Sequence, residues 1–323
     1  VAVDVGGTKI AAALISGAGE ILAREYRPTC ASRGPEAVIE RILGAIDRLI
    51  SKAGIPPSQL AAIGIAAAGA LDVERGLVTA SPNLPGWRDV PLRDIVQSRQ
   101  KVTTFIINDA NAAALGEHYF GAGRGTRHMI FLTVSTGIGG GIILNGQLYS
   151  GASGAAGEIG HMTIDADGPP CKCGNRGCLE ALASGWAIAE DALSRIQQGE
   201  KSRVMELTRG KLENVTAQVV HSAAQQGDPL AQEVIRKAAR FLGVGLANLV
   251  NIFNPERIVV GGGVARMGEM LLEPAREVVA ERAFTLLVRR ASIVAGELGD
   301  DAGVLGAAAF FLKTTGQAEV DPG

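Results

Sequence analysis

Residues 1–16 read VAVDVGGTKIAAALIS. Short apolar, β-rich runs flank Gly6, Gly7 and Thr8, which predicts two strands joined by a tight glycine turn. The pattern recurs at 129–151, MIFLTVSTGIGGGIILNGQLYSG. Two strand–turn–strand units with Gly, Gly and Thr in the turn predict a duplicated nucleotide-binding half, and with it an α/β chain.

Outward from these turns, the segment 35–54, PEAVIERILGAIDRLISKAG, carries apolar residues at helical spacing, with proline near its start and glycine at its end. The run LAAIGIAAAGAL (60–71) predicts a buried strand entering a glycine loop. The run VTTFIINDA (102–110) predicts a strand that ends on Asn108-Asp109 and passes straight into a helix. A carboxylate there sits at the C-terminal edge of a sheet, where open α/β sheets place their ligands. From Glu180 to Phe253 the chain reads as mostly helical, with a linker-like polar stretch between Gly199 and Asn214. It returns to a strand at RIVVGGG (257–263). The last helix, 301–315, has an apolar face that must dock, and the tail 316–323 is expected to fray.

Composition narrows the class. A chain of 323 residues, 47% apolar and 20% charged, is long enough for two domains with their own cores. A net charge of -2 without a run of Lys and Arg offers no basic face to nucleic acid. The most apolar segment, 129–144, is too short and too broken by glycine to span a membrane. The sequence opens without the basic, apolar and small-residue series of a signal peptide, so a cytoplasmic protein is expected.

Three of the four cysteines, Cys171, Cys173 and Cys178, fall within eight residues, with His161 just upstream. In a reducing compartment a disulfide framework is not expected, whereas thiolates at this spacing on a glycine-rich loop converge on one ion. Gly174 and Gly177 permit the positive backbone angles that wrap such a knuckle. With His161 as fourth ligand the set closes as a tetrahedral, structural zinc site. The alternative is a cluster of free buried thiols. Cys30 stands apart and is assigned no role.

None of the glycine turns has Walker A spacing. In DVGGTK, the Gly6 and Gly7 amides, the Thr8 hydroxyl and the Lys9 ammonium could instead face a phosphate. STGIGGG (135–141), with Thr136 and Gly137, supplies a second turn, and two such turns could clamp the triphosphate of Mg-ATP. Asp4 would hold the water shell of the magnesium or else cap the turn. Asp109 has three candidate roles: helix N-cap, solvated loop acid, or general base toward a substrate hydroxyl. Asn108 beside it and Asn83 in SPNLPGW are amides suited to paired hydroxyls. Glu158, His161 and Glu180 bracket the cysteine loop and suit a polyhydroxylated substrate.

In this order and spacing, DVGGTK, NDANAAALGE, STGIGGG, GAAGEIGH and CKCGNRGCLE resemble the ROK family of sugar kinases and repressors, over nearly the whole chain. The resemblance implies the two-domain, actin/hexokinase-like (ribonuclease H-like) α/β ATPase fold, with a sugar in the cleft and ATP across it. The expected domains are residues 1–118, joined by the helix 301–315, and 119–300. By the same resemblance Asp109 is the catalytic base, and Asn83, Asn108, Glu158, His161 and Glu180 contact sugar hydroxyls. Thr8, Lys9, Thr136 and Gly137 would hold phosphates, and Gly262 and Gly263 would lie near the adenosine. His161 would then ligate zinc through one nitrogen and face the sugar with the other. Ala68 stands where many relatives carry proline, which leaves the pocket shape near Gly69 open. With the first glycine turn at residue 6, no helix-turn-helix precedes it, so a DNA-binding repressor is not expected. The resemblance implies a hexose 6-kinase, with glucose the first choice; an N-acylhexosamine kinase and a non-catalytic sugar sensor are the alternatives. The apolar run FLGVGLANLVNIF (241–253), together with the habit of relatives, implies a homo-oligomer, a dimer or tetramer.

Overall fold

The structure, a computed structural model, describes residues 1–314, so the expected fraying of 316–323 lies outside the described residues. The strands, in chain order, are β1 (Ala2–Val5), β2 (Lys9–Ile15), β3 (Ile21–Pro28), β4 (Ile63–Ala67), β5 (Ala70–Asp72), β6 (Leu77–Ala80), β7 (Arg88–Val90), β8 (Thr104–Asn108), β9 (Met129–Val134), β10 (Ile138–Leu144), β11 (Gln147–Leu148), β12 (Arg257–Gly261) and β13 (Ser292–Ala295). They form two five-stranded sheets, β3-β2-β1-β4-β8 and β11-β10-β9-β12-β13, and a small sheet β5-β6-β7.

The two large sheets share one plan. In the first, β1 pairs antiparallel with β2 and parallel with β4, and β4 pairs parallel with β8. In the second, β9 pairs parallel with β12, β12 pairs parallel with β13, and β10 leads antiparallel into β11. The internal repeat expected from the two glycine hairpins is therefore a repeat of sheet topology. Each glycine turn links the first two strands of its sheet, next to the C-terminal ends of the parallel strands.

The chain divides into two compact units. Among the described residues, one comprises Val1–Arg127, Gly141–Gly157 and 298–314; the other comprises His128–Gly140 and Glu158–Glu297. In the first unit the helix Pro35–Ala53 begins on proline and stops where Gly54 takes φ 68° and its amide returns to the Ile50 and Ser51 carbonyls. Its apolar stripe, Val38, Ile42, Ile46 and Leu49, is fully buried with Val3, Ile10, Ile63 and Ile65. Fully removing such a side chain from water contributes about 1.5–3 kcal/mol, which fixes this helix on the sheet.

The last helix, Ala302–Thr314, docks its small residues on the helix Asp109–Phe120 and on β4 and β1. Close approach depends on missing side chains: a Cβ on Gly306 would strike the Ala112 carbonyl, and one on Gly116 would strike the Ala302 carbonyl.

In the second unit the stretch expected to be a linker holds a short helix, Val204–Leu207, anchored where the Arg203 amide donates to Asp228 at 2.7 Å. The apolar run 241–253 belongs to the helix Pro229–Phe253, and Leu242, Leu246, Leu249 and Val250 are buried inside the unit. That run is therefore largely spent on its own core, and Ile252 is its exposed exception. No helix among the described residues is long and apolar enough to cross a membrane.

Candidate active site and metal centre

The first unit assembles Asp4, the Gly6–Lys9 turn, Gly69, Asn83, Asn108 and Asp109. The helix Asp109–Phe120 starts directly at the end of β8, and its cap is Asn108 rather than Asp109. Asn108 keeps extended angles while its Oδ1 accepts from the Ala110 and Asn111 amides at 3.0 and 3.1 Å. Two cap-competent residues stand side by side, and the one still in strand conformation takes the role. Asp109 is thereby moved into the first helical position, where its Oδ1 accepts from the Ala110 amide at 2.9 Å. The helix N-terminus favours its negative charge.

Asn108 Nδ2 donates to the Gly69 carbonyl at 3.1 Å. Gly69 takes φ 113°, and a Cβ there would run into Ala80 and Ser81, so only glycine lets this loop pass. Ala68, the departure from the family pattern, donates its amide to the Val5 carbonyl at 3.3 Å. Proline could not make that bond, so a hydrogen bond replaces ring stiffness.

Around the first turn, the Gly6 amide donates to the Lys9 carbonyl at 3.0 Å, and the Thr29 hydroxyl donates to the Gly6 carbonyl at 2.6 Å. The Gly6 amide is thus met by backbone. Asn83 lies so close to Gly7 that a Cβ on Gly7 would come within 3.0 Å of it. Thr8 is exposed. Lys9 points to Asp300, with Nζ 3.1 Å from Oδ2, and lies over the Tyr26 ring at 5.2 Å. Asp300 was not among the expected site residues.

Asp4 rests against Gly303 of the last helix, where a Cβ would come within 2.6 Å of its Oδ2. Burial pushes its carboxyl up to about 7, helped by the negative charges of Asp109 and Asp300 and opposed by Lys9. Such a carboxyl is destabilised as an anion, and a cation beside it would favour its charged form.

The second unit holds the Ser135–Ile138 turn, Glu158, His161, Glu180 and the cysteine knuckle. The turn closes with the Ser135 amide on the Gly137 carbonyl at 2.8 Å. The Ser135 hydroxyl accepts from the Gly263 amide at 3.2 Å, which brings Gly262 and Gly263 to the same turn. Thr136 is exposed beside them.

In the knuckle, the Cys171 amide donates to the Asn175 carbonyl at 2.7 Å, and Gly174 and Gly177 take φ 95° and 61°. His161, Cys171, Cys173 and Cys178 bring their ligand atoms within 4.8 Å of one another. Cys171 Sγ lies 3.8 Å from His161 Nδ1, and Cys173 Sγ lies 3.8 Å from Cys178 Sγ. Tetrahedral zinc with Zn–S of about 2.3 Å needs sulfur pairs about 3.8 Å apart, so the set fits that ion. Burial and the neighbouring cysteines push the Cys178 thiol up to about 12, and a bound cation is what allows such a group to become a thiolate. His161 presents Nδ1 to this cluster and Nε2 to Glu158, 4.0 Å from Oε2. Two roles for one imidazole, expected from the resemblance, are geometrically open.

Glu180, two residues past Cys178, places Oε2 2.9 Å from the Ile138 amide. A cavity of about 520 Å³ is lined by residues that include Pro169, Pro170, Trp186 and Asp191, and none of the expected site residues lines it.

Comparison with known proteins shows the family and the fold. A glucokinase of Thermotoga maritima is 40% identical over 316 residues, covering 98% of this chain and 98% of its own. A xylose repressor of Caldicellulosiruptor bescii is 36% identical, covering 97% of this chain and 78% of its own. Among solved structures, a ROK family glucokinase from Streptomyces griseus in complex with glucose and AMPPNP superposes with a TM-score of 0.84 at 38% identity, covering 95% of this chain and 97% of its own. The fold is that of the actin/hexokinase-like ATPases. The ROK family profile matches residues 1–314, and the chain belongs to the ROK family.

Proposed function

We propose that this protein is an ATP-dependent hexose kinase that transfers the γ-phosphoryl group to the 6-hydroxyl of glucose. The observation that carries the reading is the position of Asp109: a carboxylate at the C-terminal end of a parallel strand, in the first turn of a helix that Asn108 caps, with Oδ1 accepting from the Ala110 amide. The relatives named glucokinase, one with glucose and AMPPNP bound, support the same substrates for this chain.

In this reading Asn83, Asn108, Glu158, His161 and Glu180 hold the sugar's hydroxyls, and Gly69 shapes the loop beside them. Asp109 accepts the 6-hydroxyl proton as that oxygen attacks the γ-phosphorus and the bond to the β-phosphate oxygen breaks, giving ADP. The Gly6, Gly7, Thr8 and Lys9 turn and the Thr136–Gly137 turn orient the phosphates, and Gly262 and Gly263 flank the adenosine. Mg²⁺, held at Asp4, would neutralise phosphate charge. Phosphoryl transfer asks the protein mainly for positioning and charge stabilisation, and these rigid turns supply both. Zinc at His161, Cys171, Cys173 and Cys178 would be structural, since four protein ligands leave no open position.

A Cys₃His set of this kind needs reduced thiols, which supports a cytoplasmic enzyme. We include self-association in the proposal; its support is the exposed apolar surface of Ile252, Phe284 and Leu286, and light scattering tests it. The function itself is tested by a panel of sugars with Mg-ATP. Glucose should give the highest kcat/KM; a higher value for N-acetylmannosamine or N-acetylglucosamine would favour the hexosamine kinase. Sugar binding without turnover on any member would mark a sensor, the role suggested by likeness to the xylose repressor.

A further inference from the structure

We propose that Glu180 is a positioning residue for the Ser135–Ile138 turn, tying the zinc knuckle to the groups that orient the nucleotide. The inference rests on the reading of that turn as a phosphate site.

Within itself the turn has one backbone bond, from the Ser135 amide to the Gly137 carbonyl. The segment that follows the knuckle holds it at three more points. The Gly185 amide donates to the Ser135 carbonyl at 2.8 Å, and the Trp186 amide donates to the Thr136 carbonyl at 3.2 Å. The Ile138 amide donates to Glu180 Oε2 at 2.9 Å. The first two are neutral backbone bonds; the third ends on a carboxylate and is the stronger kind.

Glu180 sits on a five-residue helix, Leu179–Ala183, which is too short to be stable alone. The knuckle supplies its orientation. Cys178 and Leu179 are fully buried, and the Leu179 amide donates to the Met162 carbonyl at 2.9 Å, one residue beyond His161. Thr163 and Cys178 form a β-bridge. Two ligands of the candidate zinc, His161 and Cys178, therefore flank the strut that ends on Ile138.

Gly137 completes the fit. A Cβ on Gly137 would collide with Glu180 Oε2, so the carboxylate occupies the space that this glycine leaves. The need for glycine at 137 comes from the protein side of the turn as well as from approach of phosphate. In the proposed function Glu180 also meets a sugar hydroxyl. One carboxylate then serves both substrates, and nucleotide affinity depends on sugar occupancy, and the reverse, by linkage.

The test measures Mg-AMPPNP affinity by calorimetry without sugar, together with hydrogen exchange of the Ile138 amide, in wild type, Glu180→Gln and Glu180→Ala. Glu180→Ala should weaken nucleotide binding at least about fivefold and speed Ile138 exchange, because a charge-assisted bond to a backbone amide is lost. Glu180→Gln, whose carbonyl can still accept, should retain part of both. If Glu180→Ala leaves sugar-free nucleotide affinity and Ile138 exchange unchanged and weakens glucose binding alone, Glu180 is a sugar contact only and the proposal fails. Wild type that binds no nucleotide would overturn the functional reading instead, while Ile138 exchange would still report on the strut. Should Glu180→Ala not fold, Gly137→Ala displaces the carboxylate from the other side and must speed exchange of the same amide.

Discussion

Asn108 Nδ2 donates to the carbonyl of Gly69 at 3.1 Å, tying the start of the helix that carries Asp109 to a loop 39 residues earlier in the chain. The same side chain caps that helix through Oδ1. Asn108→Ala should therefore cost stability twice. The lost cap contributes about 1 kcal/mol and the lost amide–carbonyl bond a further 0.5–1.5 kcal/mol or so. Asn108→Asp keeps the cap acceptor but loses the donor to Gly69 and adds a charge beside Asp109. Urea denaturation should rank wild type above both variants. Equal midpoints for wild type and Asn108→Ala would mean that the cap and the Gly69 tie carry no weight.

The knuckle predicts one zinc per chain. Elemental analysis of purified protein should find it, and Cys173→Ser should lower both metal content and melting temperature. Sugar binding should weaken in parallel, because His161 belongs both to the ligand set and to the face shared with Glu158. A protein free of zinc, with full activity and unchanged melting, would reduce the knuckle to a cluster of thiols.

Asp4 gives the chain a pH signature. Its folded carboxyl titrates near about 7, against 3.8 in the unfolded reference, chiefly because it is buried. Between those values the folded chain holds a proton that the unfolded chain has released, so stability falls as pH rises through this window and levels off above it. Asp4→Asn removes that slope. The variant should match wild type near about pH 4 and become progressively more stable than wild type toward about pH 7, as chemical denaturation across the range would read. A difference that stays constant with pH would place the Asp4 titration outside this window.

Legibility in the sequence follows how local each interaction is. Both glycine hairpins and the knuckle can be read directly, since their turn residues and ligands are neighbours in the chain. The choice between Asn108 and Asp109 as cap cannot, because both are good caps and only the end of β8 decides. Asp300 is farther out of reach: it meets Lys9 across 291 residues, and within GDDAG it reads only as an acid near a helix start. The bond from Ile138 to Glu180 spans 42 residues and leaves no periodic trace. The run 241–253 is ambiguous for a related reason: a helix that packs against several neighbours inside one unit shows the same broad apolar face as one that meets a partner copy.

The mechanism makes the sharpest demand on Asp109. Asp109→Asn retains an oxygen that can accept from the Ala110 amide, and Asn108 still caps the helix, so the local backbone should be undisturbed. What the variant loses is the ability to take the 6-hydroxyl proton. A general base contributes about 10²- to 10⁴-fold in typical cases, and positioning and charge stabilisation carry the rest of phosphoryl transfer. Asp109→Asn should thus bind glucose and Mg-ATP with near-normal affinity while kcat falls by at least about 10²-fold. Glu158→Gln should divide the other way, raising the glucose KM more than it lowers kcat, because it removes binding that is shared by ground state and transition state. Steady-state kinetics on the two variants, with glucose affinity measured separately by calorimetry, distinguish the roles. Turnover largely retained in Asp109→Asn would leave Asp109 as a first-turn carboxylate that serves the helix, and the base would have to be sought at Glu158 or Glu180.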